Sequence, residues 1–126
     1  MNDALVKTEQ YEMIESKIFV CRGLQVMLDS DVATMFGVTT SNLNKAMKRN
    51  IERFPEDFCF QLNSEEFRSQ RFQNGTFNKA TEGRKYRPYV YTDYGIIAIA
   101  GTLRSEMADK MSVEISWGKE NEWRIN

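Results

Sequence analysis

Alternating hydrophobic and polar positions predict several short strands. In "KIFVCRGLQVML" two apolar runs flank Arg22-Gly23, and because glycine readily adopts the positive φ of a tight turn, this stretch predicts a β-hairpin. Further along, "DFCFQL" turns Phe58 and Phe60 to one side and Cys59 to the other, with the period of a strand. The stretch "YRPYVYT" also has an extended pattern.

A helical period follows the predicted hairpin. The apolar face of this first helix is formed by Val32, Ala33, Met35 and Phe36. Asp29 or Ser30 is expected to cap its N-terminus, and Gly37 is expected to end it. Val38 then fills the turn as a hydrophobic plug.

A second helix is predicted to begin after this turn, with Thr39, Thr40 or Ser41 as its N-cap. It is expected to end before Pro55, which disfavours helical geometry at Phe54. The residues expected to point inward are Leu43, Ala46 or Met47, and Ile51. Those expected to point outward are Asn42, Asn44, Lys45, Lys48 and Arg49. The spacing predicts a helix–turn–helix over about residues 30–53.

The rest of the chain predicts further elements and no linker. Asn63 or Ser64 is expected to cap a short helix, and residues 69–85 are polar and predict a long loop or a hairpin. Thr92 is expected to cap an apolar, buried helix, and another helix is expected to start at Ser105. These elements predict an α+β fold: a small winged-helix-like domain with a helix–turn–helix and short β-hairpins.

The chain has 126 residues and a net charge of −1, which fits one domain and argues against a general polyanion binder. The cations are concentrated, however. Residues 40–54 carry four cations against one carboxylate, a net charge of +3, and residues 68–88 carry six against one, a net charge of +5. The remainder therefore sums to −9. Such segregation places a local positive field on a slightly acidic body.

In a helix–turn–helix the second helix is the one that enters a DNA groove, so the exposed side chains of this second helix are expected to read DNA. Asparagine pairs with adenine and arginine with guanine, whereas lysine and serine more often hold phosphates. The residues expected to contact bases are Asn42, Asn44, Lys45 and Arg49. Those expected to contact phosphates are Thr40, Ser41, Lys48 and Arg53.

The second basic run includes Arg84, Lys85 and Arg87, just before a predicted strand. A basic hairpin beside a helix–turn–helix is typical of a wing, so these three residues are also expected to contact phosphates. The neighbouring tyrosines are candidates for stacking on bases. Alternation favours half-buried sheet positions for them instead.

Other functions lack support in the sequence. There is no histidine, no GxxxxGK[ST] loop and no GxGxxG motif, and the carboxylate pairs lie where helix N-termini favour acid, so we expect no catalysis, no metal and no cofactor. No apolar run has the length of a membrane span or of a secretion signal, which predicts a cytoplasmic protein, in a bacterial or phage-infected cell. Cys21 and Cys59 are then expected to be free, buried thiols.

Three stretches resemble a known family: "VMLDSDVATMFGV", "LNKAMKRNIERFPEDFCFQLNSEEF" and "GRKYRPYVYTDYGIIAIAGTLRSEMA". The sequences of these stretches and their order along the chain resemble the phage-type Orf-six-N domain, a relative of the KilA-N domain. The resemblance covers residues 17–111; residues 1–16 are then an N-terminal extension, and residues 112–126 diverge as a helix end and tail. It implies a compact α+β DNA-binding module of phages and prophages, associated with regulation or antirepression.

We therefore expect sequence-specific binding of double-stranded DNA, as a phage or prophage transcriptional regulator or antirepressor. A module of this size is expected to act as a homodimer that reads two half-sites. The alternative is a protein–protein interaction module, a truncated regulator that binds a host or phage protein through acidic surfaces and the tail with Trp117 and Trp123. A third alternative is RNA binding, with tyrosines stacked on unpaired bases.

Overall fold

The structure, a computed structural model, describes the backbone of residues 12–125 and the side chains of residues 12–112. The N-terminal extension at residues 1–16 falls mostly outside the described residues; its residues 12–15 form one helical turn. Strands β1 (Phe19–Cys21) and β2 (Leu24–Leu28) form the predicted hairpin. Its turn has positive φ at Arg22 (53°) and Gly23 (73°), the twist that two-residue hairpin turns favour.

Two more strands complete an antiparallel sheet: β3 (Cys59–Gln61) and β4 (Tyr89–Thr92). The strand order is β1-β2-β4-β3, so β4 lies between two strands that precede it in the chain. Met27 is paired with Tyr91 and Tyr91 with Cys59. Because side chains alternate along strands, these three point to one face, and their neighbours Leu28, Val90 and Phe60 point to the other.

Helices cover both faces of the sheet. Helices α1 (Asp29–Phe36) and α2 (Thr40–Arg49) and the long α5 (Asp93–Ile125) enclose one core with Met27 and Tyr91. Helices α3 (Ser64–Gln73) and α4 (Gly75–Ala80) lie on the opposite face, where Phe77 is buried against Phe19 and Phe67. The α+β prediction is confirmed.

The helix ends follow local sequence signals with one exception. Gly37 ends α1 with φ 67°, and Thr39 caps α2 by accepting from the Asn42 N–H. Asn63 caps α3, and Thr92 Oγ1 accepts from the Gly95 N–H at the start of α5. At α1 the predicted cap, Asp29 or Ser30, is wrong: the N-cap position is Leu28, and no side chain caps it.

Several predicted elements need correction. Residues 69–85 are not a long loop or hairpin, because α3 continues to Gln73 and Asn74 caps a further helix, α4. Ile51 is 58% exposed rather than inward, because a 3₁₀ turn (Ile51–Arg53) changes the period and buries Phe54 instead. No helix starts at Ser105, since α5 is continuous through that position.

The cysteines and the C-terminal tryptophans were singled out by the sequence, and the structure describes the side chains of the cysteines alone. Cys21 and Cys59 are buried and free, as predicted. Burial raises the pKa of the Cys21 thiol to about 11 and that of Cys59 to about 12. The side chains of Trp117 and Trp123 lie outside the described ones.

Among the described residues, no helix combines the length and apolar character that crossing a bilayer requires.

Candidate nucleic-acid interface

Helix α2 is fixed by its inner face and open on its outer side. Leu43, Ala46 and Met47 are at most 1% exposed and belong to the core that α1 and α5 complete. Ser41, Lys45 and Lys48, by contrast, are all exposed. These three follow the i, i+4, i+7 spacing of a single helical stripe, so they project together from one side of α2.

The second basic run does not form a wing. Residues 81–88, here named the basic loop, have no strand structure and connect α4 to the central strand β4. The predicted basic hairpin is therefore wrong. The position of the basic loop is determined by the pairing of β2 with β4, in which Leu28, the last residue of β2, is paired with Val90. This register places the end of the basic loop beside the start of α1, and hence beside α2.

A cleft of about 380 Å³ separates α2 from the basic loop. Its walls hold five cations and one carboxylate: Lys45, Lys48, Arg84, Lys85, Arg87 and Asp29. The remaining lining residues are uncharged: Ser41, Asn44, Gln61, Tyr86, Pro88 and Tyr89. The two basic runs, well separated in the chain, thus form opposite walls of one positively charged cleft.

Asp29 joins the parts of this cleft at its base. It is only 2% exposed. Its carboxylate accepts from Arg84 Nη2 (2.8 Å), Asn44 Nδ2 (2.8 Å) and the Tyr89 backbone N–H (3.2 Å). Because a buried carboxylate is costly unless it is paired and hydrogen-bonded, these donors hold α1, α2, the middle of the basic loop and the first residue of β4 in one arrangement.

Two residues predicted to contact DNA are instead used internally. Asn44 is half-buried; its Nδ2 donates to Asp29 and its Oδ1 accepts from Tyr91 Oη (3.0 Å), so the predicted outward position is wrong. Burial also raises the pKa of Tyr91, which keeps its hydroxyl a donor. Arg84 is directed to Asp29 and its side chain is 22% exposed, so its guanidinium is held in an ion pair at the base of the cleft. Both residues position the cleft walls.

Arg49 lies outside the cleft and is paired with α5. Its Nη2 and Nε donate to Glu106 at 2.8 and 3.1 Å, although its side chain remains 58% exposed. These hydrogen bonds raise the pKa of Arg49 and lower that of Glu106. Asn42, the other predicted base contact on this side, is exposed.

The other predicted contacts differ in position. Lys45 and Lys48 lie on the α2 wall, and Lys85 and Arg87 on the loop wall; all four are exposed and make no ion pair within the described part of the chain. The Lys48 ammonium lies 5.2 Å from the centre of the Tyr89 ring, within cation–π range. Thr40 is half-buried at the start of α2, and Arg53 is exposed in the 3₁₀ turn.

Sequence reasoning missed the carboxylates of this surface. In the sequence Asp29 looks like a helix N-cap and Glu106 like an ordinary solvent-exposed residue of a helix. The neighbouring residues therefore do not indicate that Asp29 pairs with Arg84 or that Glu106 pairs with Arg49. Gln61 was also missed; its Nε2 donates to the Arg87 carbonyl at 3.0 Å. The contact of Gln61 with the basic loop is predictable only if β3 is predicted to pair with β4, because that pairing places Gln61 opposite Tyr89.

A family model described as the ORF6N domain matches residues 16–102, more than half of the chain. The chain belongs to the ORF6N domain family. This confirms the resemblance to the Orf-six-N domain, and the family is phage-associated and compatible with DNA binding. The match spans β1 to the first turns of α5 and so includes both walls of the cleft. Comparison with curated proteins and with solved structures found no match.

Proposed function

We propose that this ORF6N domain binds double-stranded DNA sequence-specifically, with α2 in the major groove and the basic loop on the flanking backbone. The observation that carries the proposal is the convergence of both basic runs on one cleft, with four exposed cations that make no ion pair among the described residues. Major grooves admit an α-helix, and paired cationic walls fit a phosphate backbone that runs between them.

We propose a smaller set of contacts than the sequence predicted. Base contacts are assigned to Asn42, Lys45 and Arg49. Phosphate contacts are assigned to Thr40, Ser41, Lys48, Arg53, Lys85 and Arg87. Asn44 and Arg84 leave the set because both are bonded to Asp29.

The biological setting follows from the family and stays part of the proposal. The domain acts as a phage or prophage transcriptional regulator or antirepressor in the cytoplasm of a bacterial cell. It binds as a homodimer on two half-sites about one turn of DNA apart, since a single module contacts few bases. It catalyses no reaction and needs no cofactor.

Substitution of the α2 wall tests the proposal. Lys45 and Lys48 replaced together by Ala are expected to lower duplex affinity about tenfold or more, measured by fluorescence anisotropy on a labelled duplex. The wild-type log–log salt slope is expected near −4, and the double variant is expected to reduce its magnitude by about 1, because Lys48 is the one of the two lysines assigned to a phosphate. Lys79→Ala is the matched control, since this exposed lysine lies on α4, across the sheet.

Two outcomes would contradict the proposal. Unchanged affinity of the folded double variant would remove α2 from the interface. A weak, salt-independent interaction of the wild-type chain with duplex DNA would favour the protein-interaction alternative, for which α5 offers the exposed apolar residues Ile97, Met107 and Met111. Competition between duplex DNA and single-stranded RNA separates DNA binding from RNA binding.

A further inference from the structure

Tyr86 is exposed at the mouth of the positively charged cleft. Its residue surface is 84% exposed, so the folded chain gains little from its ring. It lies between Lys85 and Arg87, both exposed. The other tyrosines near the cleft differ: Tyr91 is fully buried and Tyr89 is half-buried. The sheet therefore accounts for those two and leaves the position of Tyr86 without a structural role.

The chain is fixed on both sides of Tyr86. Before it, Arg84 donates to Asp29 at 2.8 Å. After it, the Arg87 carbonyl accepts from Gln61 Nε2 at 3.0 Å, and the Pro88 carbonyl accepts from the Leu62 N–H at 3.0 Å. Only Lys85 and Tyr86 lie between Arg84 and the bonded Arg87 carbonyl, so the aromatic ring is presented from a short, supported tip.

Such a tip combines two kinds of contact with nucleic acid. The flanking cations suit phosphates, whereas a phenol ring gains nothing from phosphate charge and packs well on the flat face of a base. An aromatic side chain with two χ angles on an anchored loop also loses little conformational entropy when it binds. The arrangement fits a nucleobase exposed at a partly unstacked step.

We propose that Tyr86 is a DNA-binding residue whose ring packs against a nucleobase at a base step beside the α2 site, partly unstacking it. This inference rests on the proposed function and adds a base contact, made by the loop, that does not depend on charge. Lys85 and Arg87 hold the phosphates on either side while the ring contacts the base.

The test uses a fluorescein-labelled duplex enriched from a random library by the wild-type chain. Tyr86→Ala is expected to lower affinity about tenfold with an unchanged salt slope, because the lost contact is not ionic. Tyr86→Phe is expected to bind like the wild type, because the ring and not the hydroxyl makes the contact. Phe72→Ala is the matched control: this ring is 92% exposed, on α3, across the sheet.

A second measurement reports the unstacking directly. The same duplex with 2-aminopurine placed in turn at each adenine position is expected to brighten at one step with the wild type and not with Tyr86→Ala. Wild-type affinity of Tyr86→Ala, or a loss of affinity that comes with a smaller salt slope, would overturn the inference. If the wild-type chain enriches no duplex, the proposed function itself fails; if it does and Tyr86→Ala binds equally well, only the role of Tyr86 fails.

Discussion

Arg22 occupies the hairpin turn with φ 53°, a left-handed conformation that is unfavourable for a residue with a Cβ. Its guanidinium donates from Nε (2.7 Å) and Nη2 (2.9 Å) to the two carboxylate oxygens of Glu66. The same carboxylate accepts from the Asn63 N–H in the capping box of α3. One side chain thus joins the hairpin to a helix N-terminus, and the hydrogen bonds from Arg22 hold the pKa of Glu66 at about 2.

This lowered pKa predicts a pH-dependent contribution to stability. The ordinary pKa of the Glu66 carboxyl is 4.5, so its stabilising effect is complete above that pH and is lost as the pH falls from 4.5 towards 2. Glu66→Gln is expected to lower the free energy of unfolding by about 1 kcal/mol at pH 7. In urea titrations the difference from wild type is expected to vanish near pH 2.

Glu65→Gln is the control, because it removes an equal charge from the same helical turn without touching Arg22. It is expected to change stability far less at pH 7. A deficit in Glu66→Gln that stays constant down to pH 2 would contradict the assignment to the ionised carboxylate.

Single residues also show where sequence reasoning stops. Thr39, Asn63 and Gly37 were predictable because caps and left-handed ends depend on neighbours within four residues. Asp29 and Asn44 were not, because their partners lie at positions 84, 89 and 91. The sequence of α2 does not indicate that Asn44, on the predicted outer face, donates a hydrogen bond to the buried carboxylate of Asp29.

At the scale of elements, the start of α5 is held against the segment before β3. Thr92 Oγ1 donates to the carbonyls of Asp57 and Phe58 and accepts from the Gly95 N–H. A Cβ built at Gly95 would overlap the Phe58 carbonyl oxygen. At Gly101, two turns later on the same helix, a Cβ would meet nothing within 4 Å. The sequence shows two glycines in a helical pattern and does not distinguish these environments.

The two glycines predict opposite effects of one substitution. Gly95→Ala is expected to destabilise the domain by about 1–3 kcal/mol or more, because a backbone carbonyl must move. Gly101→Ala is expected to stabilise it by up to about 1 kcal/mol, because alanine favours the helix and the site is open. Thermal unfolding monitored by circular dichroism measures both. Equal shifts of the same sign would mean that helix propensity alone governs these positions.

Elements also account for the largest error in the predicted fold. Residues 69–85 look like a loop because they are polar and carry two glycines, yet Asn74 caps α4 and Phe77 buries it. A six-residue helix has no period long enough to detect, and it is stable here through tertiary packing rather than propensity. The ten-residue α2 was predictable because it is long enough to show a helical period, with Leu43, Ala46 and Met47 on its buried face.

At the scale of the whole molecule, the position of β4 decides the candidate interface. Its insertion between β2 and β3 brings the basic loop to α2, and charge runs far apart in sequence become opposite walls of a cleft. The sequence indicated both runs and suggested a wing beside the helix–turn–helix, but it could not show that a loop joins them, since the strand order is set by non-local contacts. The family resemblance pointed to DNA without saying which surfaces meet.

The pairing of α2 with α5 gives a last prediction on this scale. Glu106 holds Arg49 through two hydrogen bonds, so a carboxylate lies beside the proposed interface and competes with DNA for the same guanidinium. Glu106→Gln is expected to raise duplex affinity about threefold at moderate salt, since it frees Arg49 and removes a repulsive charge. Anisotropy titrations at two salt concentrations are expected to show a smaller gain at the higher one.

A double-mutant cycle separates competition for Arg49 from simple repulsion of phosphates. In an Arg49→Ala background, Glu106→Gln loses the part of its effect that acts through the guanidinium, so a reduced gain assigns the competition to this pair. Asp109→Gln, an exposed carboxylate on the same helix, controls for net charge. If Glu106→Gln lowers affinity instead, the carboxylate orients Arg49 towards a base, and the ion pair is part of the binding surface rather than its competitor.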